Sequence, residues 1–164
     1  MEQRGTLRTR LRIRLFLNRH GVAARAECAI NRRSYVMMRA GGCLCGGVRF
    51  ETKGKLNPPI ACHCSQCART SGNFAVMSSC HSEDLTLTSA ETLAWFQSSE
   101  NVQRGFCQRC GGNIFWKMQS GSETYVAAGT LDQPTGLKLA GHIFVGSKSD
   151  FYELTDDLPQ KQEW

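Results

Sequence analysis

The chain predicts a mainly β domain of short antiparallel sheets, cross-linked through cysteines, and three observations carry that expectation. From Gly41 onward the sequence breaks into short runs of β-branched, aliphatic and aromatic residues separated by Gly, Pro, Asn and Ser. Only Ser65–Thr70 reads as a turn of helix. Cysteine is over-used, with nine in 164 residues and seven of those in three tight groups.

Taken in order, residues 1–39 come first and differ in kind from the rest. They hold ten Arg against Glu2 and Glu27, a net of +8, whereas residues 40–164 hold ten basic and twelve acidic side chains, a net of −2. The overall charge of +6 therefore belongs to the leading segment, and nucleic-acid binding is not expected of the folded part. Between Arg8 and Arg19, Arg alternates with Thr, Leu and Ile at period two, unlike the helical stripe of an organelle-targeting peptide. The segment reads as a flexible Arg-rich tail, or as sequence upstream of a true start at Met37 or Met38. The expected organisation is this tail over 1–39, a cysteine-rich domain over 40–160 and a short C-terminal tail over 161–164.

Within the domain the predicted strands are Val48–Glu51, Phe74–Ser79, Leu85–Thr88, Thr92–Gln97, Val102–Phe106, Ile114–Met118, Thr124–Ala128 and His142–Val145. Asp156-Asp157-Leu158-Pro159 reads as an exposed closing turn. Trp95, Phe96, Phe106, Phe115 and Trp116 fall inside strand runs with few cations between them, so they are expected to pack in the core and on sheet faces. No apolar run reaches the ~18 residues of a membrane span, and none is followed by a secretory cleavage site; no membrane partner is expected and the expected location is cytoplasmic. In a reducing compartment, grouped thiols read as metal ligands or catalysts before they read as disulfides.

The groups are Cys43-Leu44-Cys45 followed by Gly46-Gly47, Cys62-His63-Cys64-Ser65-Gln66-Cys67, and Cys107-Gln108-Arg109-Cys110 followed by Gly111-Gly112. Thiolates bind zinc tetrahedrally, and cysteines one or two residues apart on a tight turn can converge on one ion. The trailing glycines tolerate positive φ and let backbone N–H groups turn toward the sulfurs. Seven ligands divide as four and three. The two pairs that share the trailing glycines, Cys43, Cys45, Cys107 and Cys110, form the closed set, a structural zinc that ties the start of the domain to a point more than 60 residues on. The alternative for these four is disulfides, which residues this close in sequence rarely form with good geometry.

Cys62, Cys64 and Cys67 then hold a second zinc with three thiolates and a vacant position, the pattern of a reactive site. On an extended segment His63 points away from Cys62 and Cys64, which argues against it as a fourth ligand. The alternatives are that His63, Cys80 or His81 closes this site, or that it takes no metal. Cys80 otherwise reads as a small buried residue, and Cys28 as a free thiol in the leading segment. Three thiolates leave zinc a weak acidifier of water but a good seat for a further sulfur, so thiol chemistry is favoured over hydrolysis. Arg69, Arg104 and His142 are candidate substrate contacts near the cysteine groups.

Gly42-Cys43-Leu44-Cys45-Gly46, Cys62-His63-Cys64-Ser65-Gln66-Cys67, Phe106-Cys107-Gln108-Arg109-Cys110-Gly111 and the ending His142-Ile143-Phe144-Val145 … Asp156-Asp157-Leu158-Pro159 together resemble the glutathione-dependent formaldehyde-activating family, which includes centromere protein V. The resemblance spans about residues 41–160. It implies an Mss4-like fold of coiled β-sheets, two zinc ions per chain on the two ligand sets above, and a carbon–sulfur lyase-type activity that joins glutathione to formaldehyde as S-hydroxymethylglutathione. Its alternative implication is a zinc-stabilised binding or scaffolding module without catalysis. Residues 1–39 lie outside the resemblance.

Overall fold

The computed structural model describes residues 38–164. The Arg-rich segment up to Met37, and Cys28 with it, lie outside the described residues.

Alternation sets the first sheet. In Arg49-Phe50-Glu51-Thr52, Phe50 and Thr52 are fully buried while Arg49 and Glu51 are half-exposed, as expected of a strand with one face on the core. This strand, β2 (Arg49–Thr52), pairs antiparallel with β1 (Arg39–Gly42) on one side and β5 (Leu85–Ser89) on the other. The second sheet has seven strands: β3 (Ile60–Cys62), β4 (Ala75–His81), β6 (Leu93–Ser99), β7 (Val102–Cys107), β8 (Asn113–Met118), β9 (Glu123–Ala127) and β10 (His142–Ile143). Their spatial order is β10-β3-β4-β9-β8-β7-β6, antiparallel throughout except for the parallel pair β10 and β3. The single α-helix among the described residues, α1 (Ser65–Ser71), follows β3 and ends at Gly72, whose φ of 81° turns the chain out of the helix. None of the described helices is long and apolar enough to cross a membrane. The domain is mainly β with short antiparallel sheets, as the sequence predicts.

The two sheets share one core. Phe50 of β2 meets Phe115 of β8 edge-on, with ring centroids 5.3 Å apart, and Val48, Leu56, Ile114, Val126, Leu131 and Cys80 pack around them. Burying each such large apolar side chain contributes ~1.5–3 kcal/mol. β1 lies close over this core, since a Cβ at Gly41 would stand 2.5 Å from the Phe50 ring and 2.7 Å from the Thr130 carbonyl oxygen.

The strands not foreseen are β1 and β3. Arg39-Ala40-Gly41-Gly42 carries no β-forming side chains, and Ile60-Ala61-Cys62 is three residues long behind two prolines. The last predicted strand stops at Ile143, because Phe144 takes φ 58° and leads into a 3₁₀ turn over Val145–Ser147. Core packing holds for Phe115, 2% exposed, but Trp95 and Phe96 are 40% and 58% exposed. Two consecutive strand residues point to opposite faces, and the outer face of β6 has no cover. Trp95 lies against Phe115 under the Lys117 ammonium.

Candidate metal centres and an adjoining cavity

Two knuckles build the first cluster. Between β1 and β2, Gly46 at φ 78° closes a turn in which its N–H donates to the Cys43 carbonyl at 3.2 Å; after β7, Gly111 at φ 73° repeats it on Cys107 at 2.8 Å. The turns bring Cys43, Cys45, Cys107 and Cys110 together, with all four Sγ atoms within 4.8 Å of one another. Backbone N–H groups turn toward sulfur as the glycines suggested: Val48 N donates to Cys43 Sγ at 3.3 Å and Cys110 N to Cys107 Sγ at 3.5 Å. The Thr92 hydroxyl stands 3.0 Å from Cys107 Sγ. For Cys107, burial raises the pKa, but the Thr92 hydroxyl and the neighbouring N–H groups outweigh it and bring the thiol down to about 6. The cluster couples β1–β2 of the small sheet to β7–β8 of the large one.

One contiguous segment builds the second cluster. Cys62 ends β3, Cys64 caps α1 by accepting the Cys67 N–H at 3.4 Å, and Cys67 sits in the first helical turn. Their three Sγ atoms also lie within 4.8 Å of one another, and among the described residues no fourth His, Cys, Asp or Glu joins the group. Hydrogen bonding from Cys62 lowers Cys67 to about 6, with the Arg104 charge assisting, and the same bond together with burial pushes Cys62 up. Both donor sets, all sulfur and mutually convergent, suit a soft or borderline cation such as zinc.

His63 does point away from the cysteines, and its two ring nitrogens are occupied. Nδ1 lies 2.5 Å from Tyr152 Oη and Nε2 lies 2.9 Å from His142 Nδ1, while His142 Nε2 lies 3.0 Å from an Asp156 carboxylate oxygen. One hydrogen serves each contact if Tyr152 donates to His63, His63 donates through Nε2 to His142, and His142 donates through Nε2 to Asp156. His63 and His142 are 1% and 4% exposed, and burial, then the charges of His142 and Lys148, lower the pKa of His63. The bond to His142 holds the Asp156 carboxyl below its usual range. This line joins β3 and β10 to the chain's last segment, which also pairs by backbone: Lys161 N–H donates to the His142 carbonyl and Val145 N–H to that of Lys161. Cys80 is buried on β4 beside the Thr124 carbonyl, and His81 is exposed.

A cavity of about 710 Å³ opens over one face of the large sheet, and Cys62, Cys64 and Cys67 form part of its wall. Its volume falls in the range of ordinary small-molecule sites. The four-cysteine cluster does not line it. Ile60, Met77, Val102, Trp116, Tyr125, Ile143, Phe144 and Trp164 make most of the wall apolar. Of the three candidate substrate contacts, Arg104 lines the cavity, 6% exposed, and its Nη2 donates to Gln66 Oε1 at 3.2 Å. Arg69 is exposed on α1 and is not part of the wall, and His142 is engaged in the histidine line behind it. Glu123, Tyr152, Thr92 and Gln66 were not among the candidate site residues read from the sequence. Nothing local marks them, since His63 and Tyr152 are 89 positions apart and Thr92 and Cys107 are 15.

The sequence profile described as "Glutathione-dependent formaldehyde-activating enzyme" matches residues 38–147. A crystal structure of a Rhodobacter sphaeroides protein is similar to this chain with a TM-score of 0.52 and 26% identity, over 63% of this chain and 98% of that one.

Proposed function

This chain belongs to the glutathione-dependent formaldehyde-activating family, and from that premise we propose that it handles the adduct of a small glutathione-like thiol with a small formaldehyde-like aldehyde, as a carbon–sulfur lyase-type enzyme. In the forming direction the thiol sulfur bonds to the carbonyl carbon, the carbonyl π bond breaks and the thiol proton ends on oxygen; the reverse sense releases the aldehyde. The observation that carries this reading is that the three-thiol cluster is part of a cavity wall while the four-thiol cluster is not.

Cys43, Cys45, Cys107 and Cys110 would hold one zinc as a structural cross-link, and Cys62, Cys64 and Cys67 would hold a second, giving two per chain. A zinc held by Cys62, Cys64 and Cys67 would supply a soft Lewis-acid position that favours the thiolate form of a small thiol. Arg104 offsets the negative charge that several thiolates gather at this wall. Most of the wall beside the sulfurs is apolar, as in ordinary small-molecule sites. The histidine line fixes β3 against β10 and so sets where Cys62 and Cys64 stand.

The test is exchange spectroscopy of glutathione and formaldehyde with the purified protein. Exchange between free thiol and hydroxymethyl adduct should exceed the uncatalysed rate and fall to it in Cys64→Ser. Exchange at the uncatalysed rate in the wild-type protein removes this substrate pair. The exposed Leu87, Trp95, Phe96 and Met118 support a second reading, a zinc-stabilised binding module; it predicts that Cys64→Ser keeps full partner binding.

A further inference from the structure

We propose that β6 is a dimer interface: its free edge pairs antiparallel with β6 of a second copy of this chain, about a two-fold axis through Trp95, and joins the two large sheets into one. No residue of β6 belongs to either cysteine cluster or to the cavity wall, so the association does not depend on what the cavity binds.

Two sheets have four edges, and the fold covers two of them with its own chain. Asp132 N–H donates to the Ala40 carbonyl beside β1, and Lys161 N–H donates to the His142 carbonyl beside β10, both at 2.9 Å. Among the described residues, β5 and β6 have no strand on their outer sides. β5 is five residues long, and its exposed side chains are Thr86, Leu87 and Thr88. β6 is seven residues long and exposes Trp95 and Phe96. Exposed edge strands are usually blunted by lysine, proline or inward-pointing charge, and one that lacks these is a template for another strand. Leu93–Ser99 contains no charged residue and no proline, and the nearest acids, Glu91 and Glu100, lie beyond its ends. Two copies therefore meet along this strand with no like charges opposed.

Register with β7 decides which main-chain groups are free. The Thr92 carbonyl accepts the Gln108 N–H at 2.9 Å, and Ala94 and Phe96 continue the bonded series opposite Phe106 and Arg104. Trp95 and Gln97, one residue out of phase, turn their N–H and C=O away from β7. On a two-fold axis through Trp95, that residue exchanges both bonds with its symmetry mate, and Gln97 N–H reaches the second copy's Leu93 carbonyl. The side chains suit this register. Trp95 meets Trp95 on one face of the joined sheet, and Phe96 meets Ala94 on the other, large against small. Trp95 and Phe96 are 40% and 58% exposed, so covering them in both copies removes roughly 400 Å² of apolar surface from water before the main chain is counted. An interface of this kind belongs at the small end of specific contacts, with micromolar affinity.

Sedimentation velocity of the full, metal-loaded chain should show a dimer at about 100 µM that dissociates by about 1 µM. Phe96→Lys puts a charge on an exposed position of the strand, as natural edges do, and should weaken association at least about tenfold without changing the melting curve of the monomer. Amide hydrogen exchange of the unsubstituted chain tests the edge without any substitution. The Trp95 and Gln97 N–H groups should exchange severalfold more slowly at about 100 µM than at about 1 µM, whereas those of Ala94 and Phe96, bonded to β7 in either state, should change little. A chain that is monomeric at about 100 µM overturns the proposal. So does a dimer that Phe96→Lys leaves intact, or one whose Trp95 and Gln97 amides do not respond to concentration.

Discussion

Replacing one sulfur in each cluster with oxygen should have opposite consequences for the fold. In Cys64→Ser the new hydroxyl remains a preferred N-cap for α1, so the Cys67 N–H keeps a partner and the helix start survives. What is lost is one of three soft ligands from a segment of six residues, and the segment stays anchored by β3 pairing and by the histidine line. The expected cost is about 1 kcal/mol, a shift in melting temperature of roughly 2–8 °C, with one metal equivalent left per chain. Cys107→Ser falls where the turn between β1 and β2 meets the turn after β7, on a side chain that is fully buried. A structural zinc site supplies an apparent ~10–16 kcal/mol, as much as a whole domain's net stability of ~5–15 kcal/mol. Losing one of its four ligands should therefore abolish cooperative folding. Metal analysis together with thermal unfolding followed by circular dichroism measures both quantities. Equal loss of stability and metal from the two variants would refute the assignment of different roles to the two clusters.

Other substitutions test the frame around the site. Tyr152→Phe removes the partner of His63 Nδ1, a buried acceptor, and should cost ~1–3 kcal/mol in urea unfolding. Gly41→Ala drives a Cβ against the Phe50 ring and the Thr130 carbonyl, and should destabilise by ~1–3 kcal/mol by the same measurement. Cys80→Ala removes a buried sulfur that belongs to neither cluster; stability should fall by about 1 kcal/mol while metal content matches that of the unsubstituted protein.

What could be read in advance divides by sequence distance. The Cys-x-Cys and Cys-x-x-Cys knuckles bring their sulfurs together through turns of a few residues, so the groups and their partition into four and three were visible in the spacing. Helix α1 was equally local, beginning at a capping side chain and ending at a left-handed glycine. β1 was not legible, because its place depends on Gly41 fitting over Phe50, a contact that only the paired strand creates. The exposure of Phe96 shows the limit of period-two reasoning, which says that Trp95 and Phe96 face opposite ways but not which face lacks a cover. The line from Tyr152 through His63 and His142 to Asp156 joins residues up to 89 positions apart, and no spacing rule reaches that far. Glu123 reads as an ordinary strand-edge acid until the register of β9 places it on the cavity side of the sheet, the same side as Tyr125.

The difference between the clusters follows from how much chain each one recruits. Four sulfurs from two knuckles, each knuckle belonging to a different sheet, approach a common centre from two sides, and each side carries its own backbone N–H donors. The second cluster draws all three sulfurs from residues 62–67, and a segment that short can present ligands from one side alone. What faces it is therefore set by the rest of the fold. Here that is the row Arg104, Trp116, Tyr125 and Ser79, running in register across β7, β8, β9 and β4 beneath the cavity. His63, the one potential ligand inside the segment, is turned to the opposite side and held there by Tyr152 and His142. The alternation that places Cys62 and Cys64 on the cavity wall is thus the same alternation that keeps His63 from closing their site.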